Sequence, residues 1–404
     1  MKKLLAVLLA SALFVPATAG SIFNNVETTG EIQTIGTLSR NAAGSSRDVS
    51  SRLLFGFGAD LVEDVKANIT FASSNYWGTD NKKDSGATLE DYFQRISVAE
   101  AYVSVANVFN AFELKVGRQF YGDEKSAVVY FGPTHYRGRI PTTMGRVGST
   151  PDIVSIDGAL LAYNSDNFLA NLVYSKVAEY GNGDVDESVL GIDGKYFVNE
   201  TLSLQAYLYD FRYGSYNGIA IPIQHVGLWG AKAAYTDDAL NIGVEFAKNY
   251  KGHQYFQYNN EGWMVKADAA LKVATENVDL TPRLTYVRAE KDFVAFGNYA
   301  PGIFFGRPVF YQDPANANIV NAGVDFKLPS LSKFNFAVDY YALSMGDKDN
   351  AEWVANEFDL VAKYALNEYV ELHGGVSYLT NVADDLGNER SRAYSGQLGM
   401  IVKF

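Results

Sequence analysis

The sequence contains no cysteine, only four histidines, and fewer cations than acids. Each shortage removes a class of function. Without cysteine there is no disulfide scaffold, no thiolate metal site, no cysteine nucleophile and no lipidated N-terminal cysteine. His135, His225, His253 and His373 show no metal-ligand spacing, and no G-x-S-x-G segment is present. The chain therefore carries no sign of a metal, a cofactor or an enzyme's nucleophile and base. Lys+Arg number 34 against 46 Asp+Glu, a formal charge of −12, which excludes a generally basic nucleic-acid binder. Beyond the N-terminus no run approaches the roughly 20 apolar residues of a membrane helix, and a mean hydropathy of −0.09 excludes a helical transporter.

What is abundant is aromatic and small. There are 27 Tyr, 25 Phe and 36 Gly against 10 Pro in 404 residues. The N-terminus reads as an export signal: Lys2 and Lys3, an apolar stretch from Leu4 to Val15, and the small-residue site Ala17-Thr18-Ala19. Residues 1–19 are expected to be removed and 20–404 to form one domain.

That domain alternates from end to end. Leu240, Ile242, Val244 and Phe246 interleave with Asn241, Gly243, Glu245 and Ala247; Tyr394, Leu398, Met400, Val402 and Phe404 interleave with Ser395, Gln397, Gly399 and Lys403. Side chains on a strand point alternately to opposite faces, so each segment has one greasy and one small or polar face. The segments run about ten residues, longer than ordinary soluble strands. Short and long connections alternate, and aromatics mark both ends of the greasy face: Phe168, Tyr196, Tyr235, Phe334, Tyr364 and Phe404 at one, Phe71, Phe246, Trp263, Tyr286, Tyr340, Tyr378 and Tyr394 at the other. The pattern predicts an all-β protein, a transmembrane antiparallel barrel of about 18 strands with short periplasmic turns and long extracellular loops. The first strand lies near 25–38 and the last near 392–404, with long loops near 39–48, 121–152 and 288–318 among others. The segment 153–163 fits least well, being apolar on both faces. Phe404, in the outward register, resembles the terminal aromatic signal read by the barrel-assembly machinery.

The lumen-facing set carries both signs, including Lys115, Glu245, Lys266, Asp268, Arg283 and Asp339. A wall this polar in so wide a barrel implies water inside. The third long loop holds Lys125, Arg137, Arg139 and Arg146 and no acid between Lys125 and Pro151. Folded inward, with Arg118 at the strand top, these five would form a constriction favouring anions; left on the surface, the loop would meet acidic neighbours or lipopolysaccharide. A second loop, Phe293 to Pro314, is rich in aromatics that could pack the loop on itself or stack on sugars.

The stretch Leu114-Lys115-Val116-Gly117-Arg118-Gln119, followed by Tyr121-Gly122-Asp123, resembles the signature of the alginate-export family of outer-membrane porins. Asp157-Gly158 and the preceding Glu100-Ala101-Tyr102-Val103 extend the resemblance. It implies an eighteen-stranded barrel and passage of an anionic polysaccharide through an Arg-lined pore, a role open here to Arg118, Arg137, Arg139 and Arg146. The sequence is thus read as a passive outer-membrane channel for small hydrophilic solutes, with anions, sugars or oligosaccharides as candidates. Its partners would be membrane lipid, lipopolysaccharide, the assembly machinery and further copies of itself. A structural or adhesive barrel, and then a barrel hydrolase, are the competing readings.

Overall fold

The computed structural model describes residues 24–41, 44–76, 96–123, 126–133, 155–178, 187–213, 224–252, 261–290, 293–295, 317–345, 353–383 and 390–404. The expected export signal, residues 1–19, lies outside them. Eighteen long strands follow in chain order: β1 Asn24–Asn41, β2 Gly44–Val62, β3 Val65–Tyr76, β4 Ser97–Val108, β5 Phe112–Gln119, β6 Ile156–Asn164, β7 Phe168–Ala178, β8 Glu187–Phe197, β9 Leu202–Tyr213, β10 Gln224–Thr236, β11 Leu240–Gly252, β12 Trp263–Leu271, β13 Asp279–Ala289, β14 Ala317–Lys327, β15 Phe334–Met345, β16 Trp353–Ala365, β17 Val370–Ala383 and β18 Arg390–Lys403. Each pairs antiparallel with its sequence neighbours, and β1 pairs with β18, so the sheet closes on itself. Val273–Ala274 continues β12 against β13. Closure leaves no edge whose N–H and C=O groups would face lipid unpaired.

One end carries tight turns. Glu63–Asp64 joins β2 to β3, and Asn199 caps the β8–β9 turn by accepting from the Thr201 and Leu202 N–H groups at 2.9 and 2.7 Å. Asn367 does the same between β16 and β17, bonding Tyr369 and Val370. These Asx side chains replace the backbone partners that a turn forfeits. The long connections lie at the other end. One expected long loop is not there: β1 and β2 run on to Asn41 and Gly44, so only residues 42–43 separate them. Residues 39–48 are polar enough to look like a loop because the hairpin tip stands outside the apolar band, where alternation no longer matters.

The alternating parity holds around the ring. Leu172, Leu190, Val244, Leu284, Val338 and Leu360 are exposed on the outer face, while Val173, Val189, Glu245, Asp339 and Asp359 on the other parity are buried. The outer aromatics meet across strands at both rims, as in Phe334–Tyr364 at 4.6 Å by the turns and Tyr378–Tyr394 at 5.0 Å by the loops. The outer face is thus an apolar band between two aromatic girdles, the surface a bilayer requires. Strand β6 is apolar on both faces for a local reason: Ile156 is fully buried and Leu160 packs against an apolar cluster inside the barrel.

Candidate pore lining

That inner cluster is made by a loop folding back into the lumen. After β5 the chain forms a small hairpin, Tyr121–Gly122 against Tyr130–Phe131. Its Ala127, Val128, Val129 and Phe131 are buried among inward side chains of β6 to β15, including Tyr209, Phe211, Leu228, Met264 and Leu343. Polar contacts fix its position. The Tyr121 hydroxyl donates to Asp193 Oδ2 at 2.6 Å and lies 2.9 Å from the Tyr209 hydroxyl. Ser126 Oγ donates to Glu245 Oε1 at 3.1 Å, and the same oxygen accepts from the Tyr207 hydroxyl at 3.0 Å. Lys232 Nζ reaches Asp123 at 3.0 Å. Burial, with Tyr209 and Asp193 alongside, pushes the Tyr121 phenol well above its ordinary range, so it stays protonated and remains a donor. The loop is therefore held against the β8–β11 wall by two inward carboxylates and their hydroxyl donors, and it narrows the lumen from that side.

A second loop joins it. Phe293, beyond β13, is 1% exposed within the same cluster. Asn249 of β11 holds that segment in both directions, accepting from the Val294 N–H at 2.8 Å and donating to its C=O at 3.0 Å. Of the aromatics from Phe293 to Pro314, Phe293 packs; Phe296 onward lies outside the described residues.

Further along the wall, β13 to β15 are joined by an arginine fork. Arg283 of β13 spans to Asp325 of β14, at 2.7 Å from Nε, and to Asp339 of β15, at 3.0 Å from Nη2. Between those strands' inward positions sits Gly323, where a Cβ would collide with the Asp339 carboxylate and crowd the guanidinium. Asn321 adds a donor to Asp339 at 3.2 Å. Asp359 of β16 lies directly across from Asp339, and Glu357 accepts from Ser377. Further round, Lys363 meets Glu371 at 3.5 Å, Arg52 meets Glu31 at 3.1 Å, Lys66 meets Asp60 at 3.3 Å and Lys266 meets Asp268 at 3.2 Å. Lys115 lies over the Tyr102 ring, 4.5 Å from its centroid. The inner face thus presents fixed, mostly paired charges to water. Lys115, Glu245, Lys266, Asp268, Arg283 and Asp339, read from the sequence as lumen-facing, all occupy the inward register.

Arg118 does not. It shares a face with Leu114 and the exposed Val116, while Lys115 and the buried Gln119 point inward. Its guanidinium forms a two-bond pair with Asp157 of β6, Nε to Oδ1 at 2.8 Å and Nη2 to Oδ2 at 2.6 Å, on the outer face near the loop end. The expectation that Arg118 lines the constriction is corrected accordingly; position along the strand placed it near the loop, but parity decides the face. The same pair gives a structural account of two motif residues, because Arg118 and Asp157 stitch β5 to β6 where the chain leaves for the inward loop. Lys125, Arg137, Arg139 and Arg146 lie outside the described residues. Asp193, like Glu245, is legible in the sequence as an inward acid; what the sequence did not single out are the docking groups Tyr207, Tyr209 and Asn249. Tyr207, Tyr209 and Phe211 were the available signal: aromatics on the parity that should be polar.

No family profile and no curated protein matches the sequence. Solved structures do match by shape. The outer membrane protein OprD from Pseudomonas aeruginosa aligns with a TM-score of 0.57 at 14% identity, covering 96% of both chains. Acinetobacter baumannii OccAB3 gives 0.62 at 12% identity over 94% of this chain and 99% of that one. Pseudomonas aeruginosa OccK11 (OpdR) gives 0.60 at 12% identity over 93% and 96%. The fold is that of the eighteen-stranded outer-membrane porins. The likeness extends to the alginate-export resemblance only in the size and closure of the barrel.

Proposed function

We propose that this protein is a passive channel of a Gram-negative outer membrane, admitting small hydrophilic solutes. The observation that carries the reading is the inner face: a wide closed barrel whose wall is lined with charged pairs and onto which residues 121–123 and 126–133 dock from one side. An eighteen-stranded barrel is too wide for its wall side chains to fill, so the space beside the docked loop holds water. In this reading the long loops face the outside, the tight turns face the periplasm, residues 1–19 direct export, and Phe404 is the residue read by the barrel-assembly machinery.

The chain continues from the docked hairpin at Pro133 directly into the basic stretch with Arg137, Arg139 and Arg146, while Lys125 precedes it. A loop anchored inside the lumen at both Tyr121 and Phe131 supports placing those cations at the narrowest section. There, separations fall below the ~8 Å Debye length of physiological salt, and the four would outweigh acids spread over the wider wall. Weak anion preference follows, with small anions or sugars as solutes. The longer anionic polysaccharide suggested by the 114–123 and 157–158 stretches is the finer reading and rests on that resemblance alone.

Single-channel recording in planar bilayers under a salt gradient tests both levels. The channel reading expects discrete, non-rectifying conductance; a silent, correctly inserted protein would favour a structural or adhesive barrel. Replacing Arg137, Arg139 and Arg146 by Ala should move the zero-current potential toward cation selectivity. An unchanged potential would put the basic stretch outside the pore while leaving the channel itself intact.

A further inference from the structure

The outer face has a charge pattern of its own. Three arginines stand on three neighbouring strands at the loop end, across the seam where the barrel closes. Arg40 lies near the end of β1, opposite Tyr394 of β18 and Ser45 of β2. Arg47 of β2 pairs with Leu38, two residues from Arg40 on the same face. Arg392 is two residues beyond Tyr394, again on that face. All three are exposed, and none has a carboxylate partner among the described residues. Diagonal neighbours in a sheet lie roughly 7–8 Å apart; Arg40 is diagonal to Arg47 on one side and to Arg392 on the other, so it stands between two like charges on a chain whose formal charge is −12. Two other cations of the outer loop end are neutralised: Arg118 pairs with Asp157, and Arg212 lies 3.7 Å from Asp210.

Beside and below the arginines the surface changes character: Arg47 stands level with Leu38 and Gly396, with Arg40 and Arg392 above them. Tyr394 and Tyr378 mark the girdle. Beneath them Gly396 faces outward opposite Leu38, and Gly36 faces outward opposite Leu398. A Cβ on Gly396 would meet nothing within 4 Å. Leu398, 73% exposed, and Leu38 stand to either side. The result is a shallow apolar groove running down the lipid face from a cationic head.

We propose that this seam binds a phosphorylated glycolipid of the outer leaflet, its phosphates on Arg40, Arg47 and Arg392 and an acyl chain in the groove of Gly36 and Gly396. The inference rests on the outer-membrane orientation proposed above. Phosphate suits the site because guanidinium groups donate in forks to tetrahedral oxyanions, and because the outer face at this height meets the headgroup layer. A second copy of the chain fits poorly: a two-fold contact through this patch would bring the same three arginines against themselves.

The test uses the full-length barrel purified in detergent, with native mass spectrometry counting bound bisphosphorylated lipid A. The wild type should retain it, and Arg40→Gln/Arg47→Gln/Arg392→Gln should bind about tenfold more weakly. The Lys-for-Arg triple should keep most of the binding, and Lys248→Gln/Arg288→Gln, on the outer face of β11 and β13, should match wild type. Dephosphorylated lipid A should bind the wild type as weakly as bisphosphorylated lipid A binds the Gln triple. Equal binding by the Gln triple and wild type, indifference to the phosphates, or a dimer mass lost only in the Gln triple would each overturn the proposal. If the Gln triple fails to fold, Arg47→Gln alone, at an exposed hairpin position, should still show a several-fold loss; wild-type affinity there would also overturn it. Conductance measured on the same preparations separates the two readings: a conducting triple variant with unaltered lipid binding defeats this inference and leaves the channel standing, and a silent wild type that binds lipid A does the reverse.

Discussion

Phe404 closes the barrel on Gly30. Their backbones exchange hydrogen bonds at 2.7 and 3.0 Å, and the Phe404 ring lies where a side chain on Gly30 would have to go. The ring also approaches Phe55 of β2 at 6.0 Å, so the last residue covers the first two strands. Any larger residue at 30 must expel it. Gly30→Leu should therefore slow or prevent closure, with less heat-resistant folded barrel on unboiled gels. Phe404→Asp should lower outer-membrane levels further, because it removes the terminal aromatic as well. Normal surface levels of both variants would show that neither the seam packing nor the terminal ring governs assembly.

The parity of the wall gives a second expectation. Val338 is 46% exposed between the outer aromatics Phe336 and Tyr340, and its neighbour Asp339 points inward. Val338→Arg should cost about 2–4 kcal/mol in denaturant titration from lipid. Lys66→Gln, on the inner face and largely exposed, should leave stability within about 1 kcal/mol and alter conductance instead. Equal losses in the two variants would mean that the faces are assigned wrongly.

The Arg283 fork supports a third. Two carboxylates converge on one guanidinium, and Asp339 is nearly buried. Arg283→Ala leaves both acids on the wall without their shared cation. The loss should be on the order of 3 kcal/mol, with current shifted toward cations. Adding Asp339→Asn should recover part of the stability, since it removes the stranded charge. No recovery in the double variant would argue that Arg283 acts by packing alone.

Acid should loosen one turn before the barrel. Asp237, between β10 and β11, accepts from the Tyr235 hydroxyl at 2.7 Å and from the Leu240 and Ala239 N–H groups at 2.6 and 2.8 Å. These donors hold its carboxyl below the usual 3.8. A depressed folded value means that the stabilisation is complete above the ordinary carboxylate range and is lost as pH falls through the folded value. Wild-type unfolding should thus show a contribution that fades below about pH 4 and is absent in Asp237→Ala. Parallel pH profiles for the two proteins would remove Asp237 from the acid response.

Much of this architecture was legible because a lipid-facing barrel imposes period two on every strand. Leu240 to Phe246 and Tyr394 to Phe404 announce their faces residue by residue, and the strand number follows from the repeats. Two things were not legible. Arg118 was placed by its distance from the loop, although the parity of Leu114 and Val116 already set its face. The docking of residues 121–123 and 126–133 was hidden because its partners are scattered from Asp193 to Phe293, and single aromatics such as Tyr209 look like girdle residues until their parity is checked. The same docking explains why β6 reads poorly: a wall covered by a loop must be apolar on its inner face too.

That docking leads to the most direct prediction about permeation. The hairpin is held by hydroxyl-to-carboxylate contacts at both ends, Tyr121 on Asp193 and Ser126 on Glu245, with Tyr207 and Tyr209 bracing the same acids. Hydrogen bonds to charged groups contribute about 1.5–3 kcal/mol each, against the entropy of holding a loop in place. Tyr121→Phe/Ser126→Ala removes both donors from the loop but leaves the wall and its acids braced, so the barrel should keep its unfolding midpoint. The loop should spend more time away from the wall, raising current noise and changing mean conductance. Glu245→Gln preserves an acceptor for Ser126 and Tyr207 and should behave nearly as wild type, whereas Glu245→Ala should resemble the double variant. Quiet, wild-type currents from Tyr121→Phe/Ser126→Ala would show that the apolar contacts of Val128 and Phe131 hold the loop without help, and that the hydroxyls only satisfy buried carboxylates.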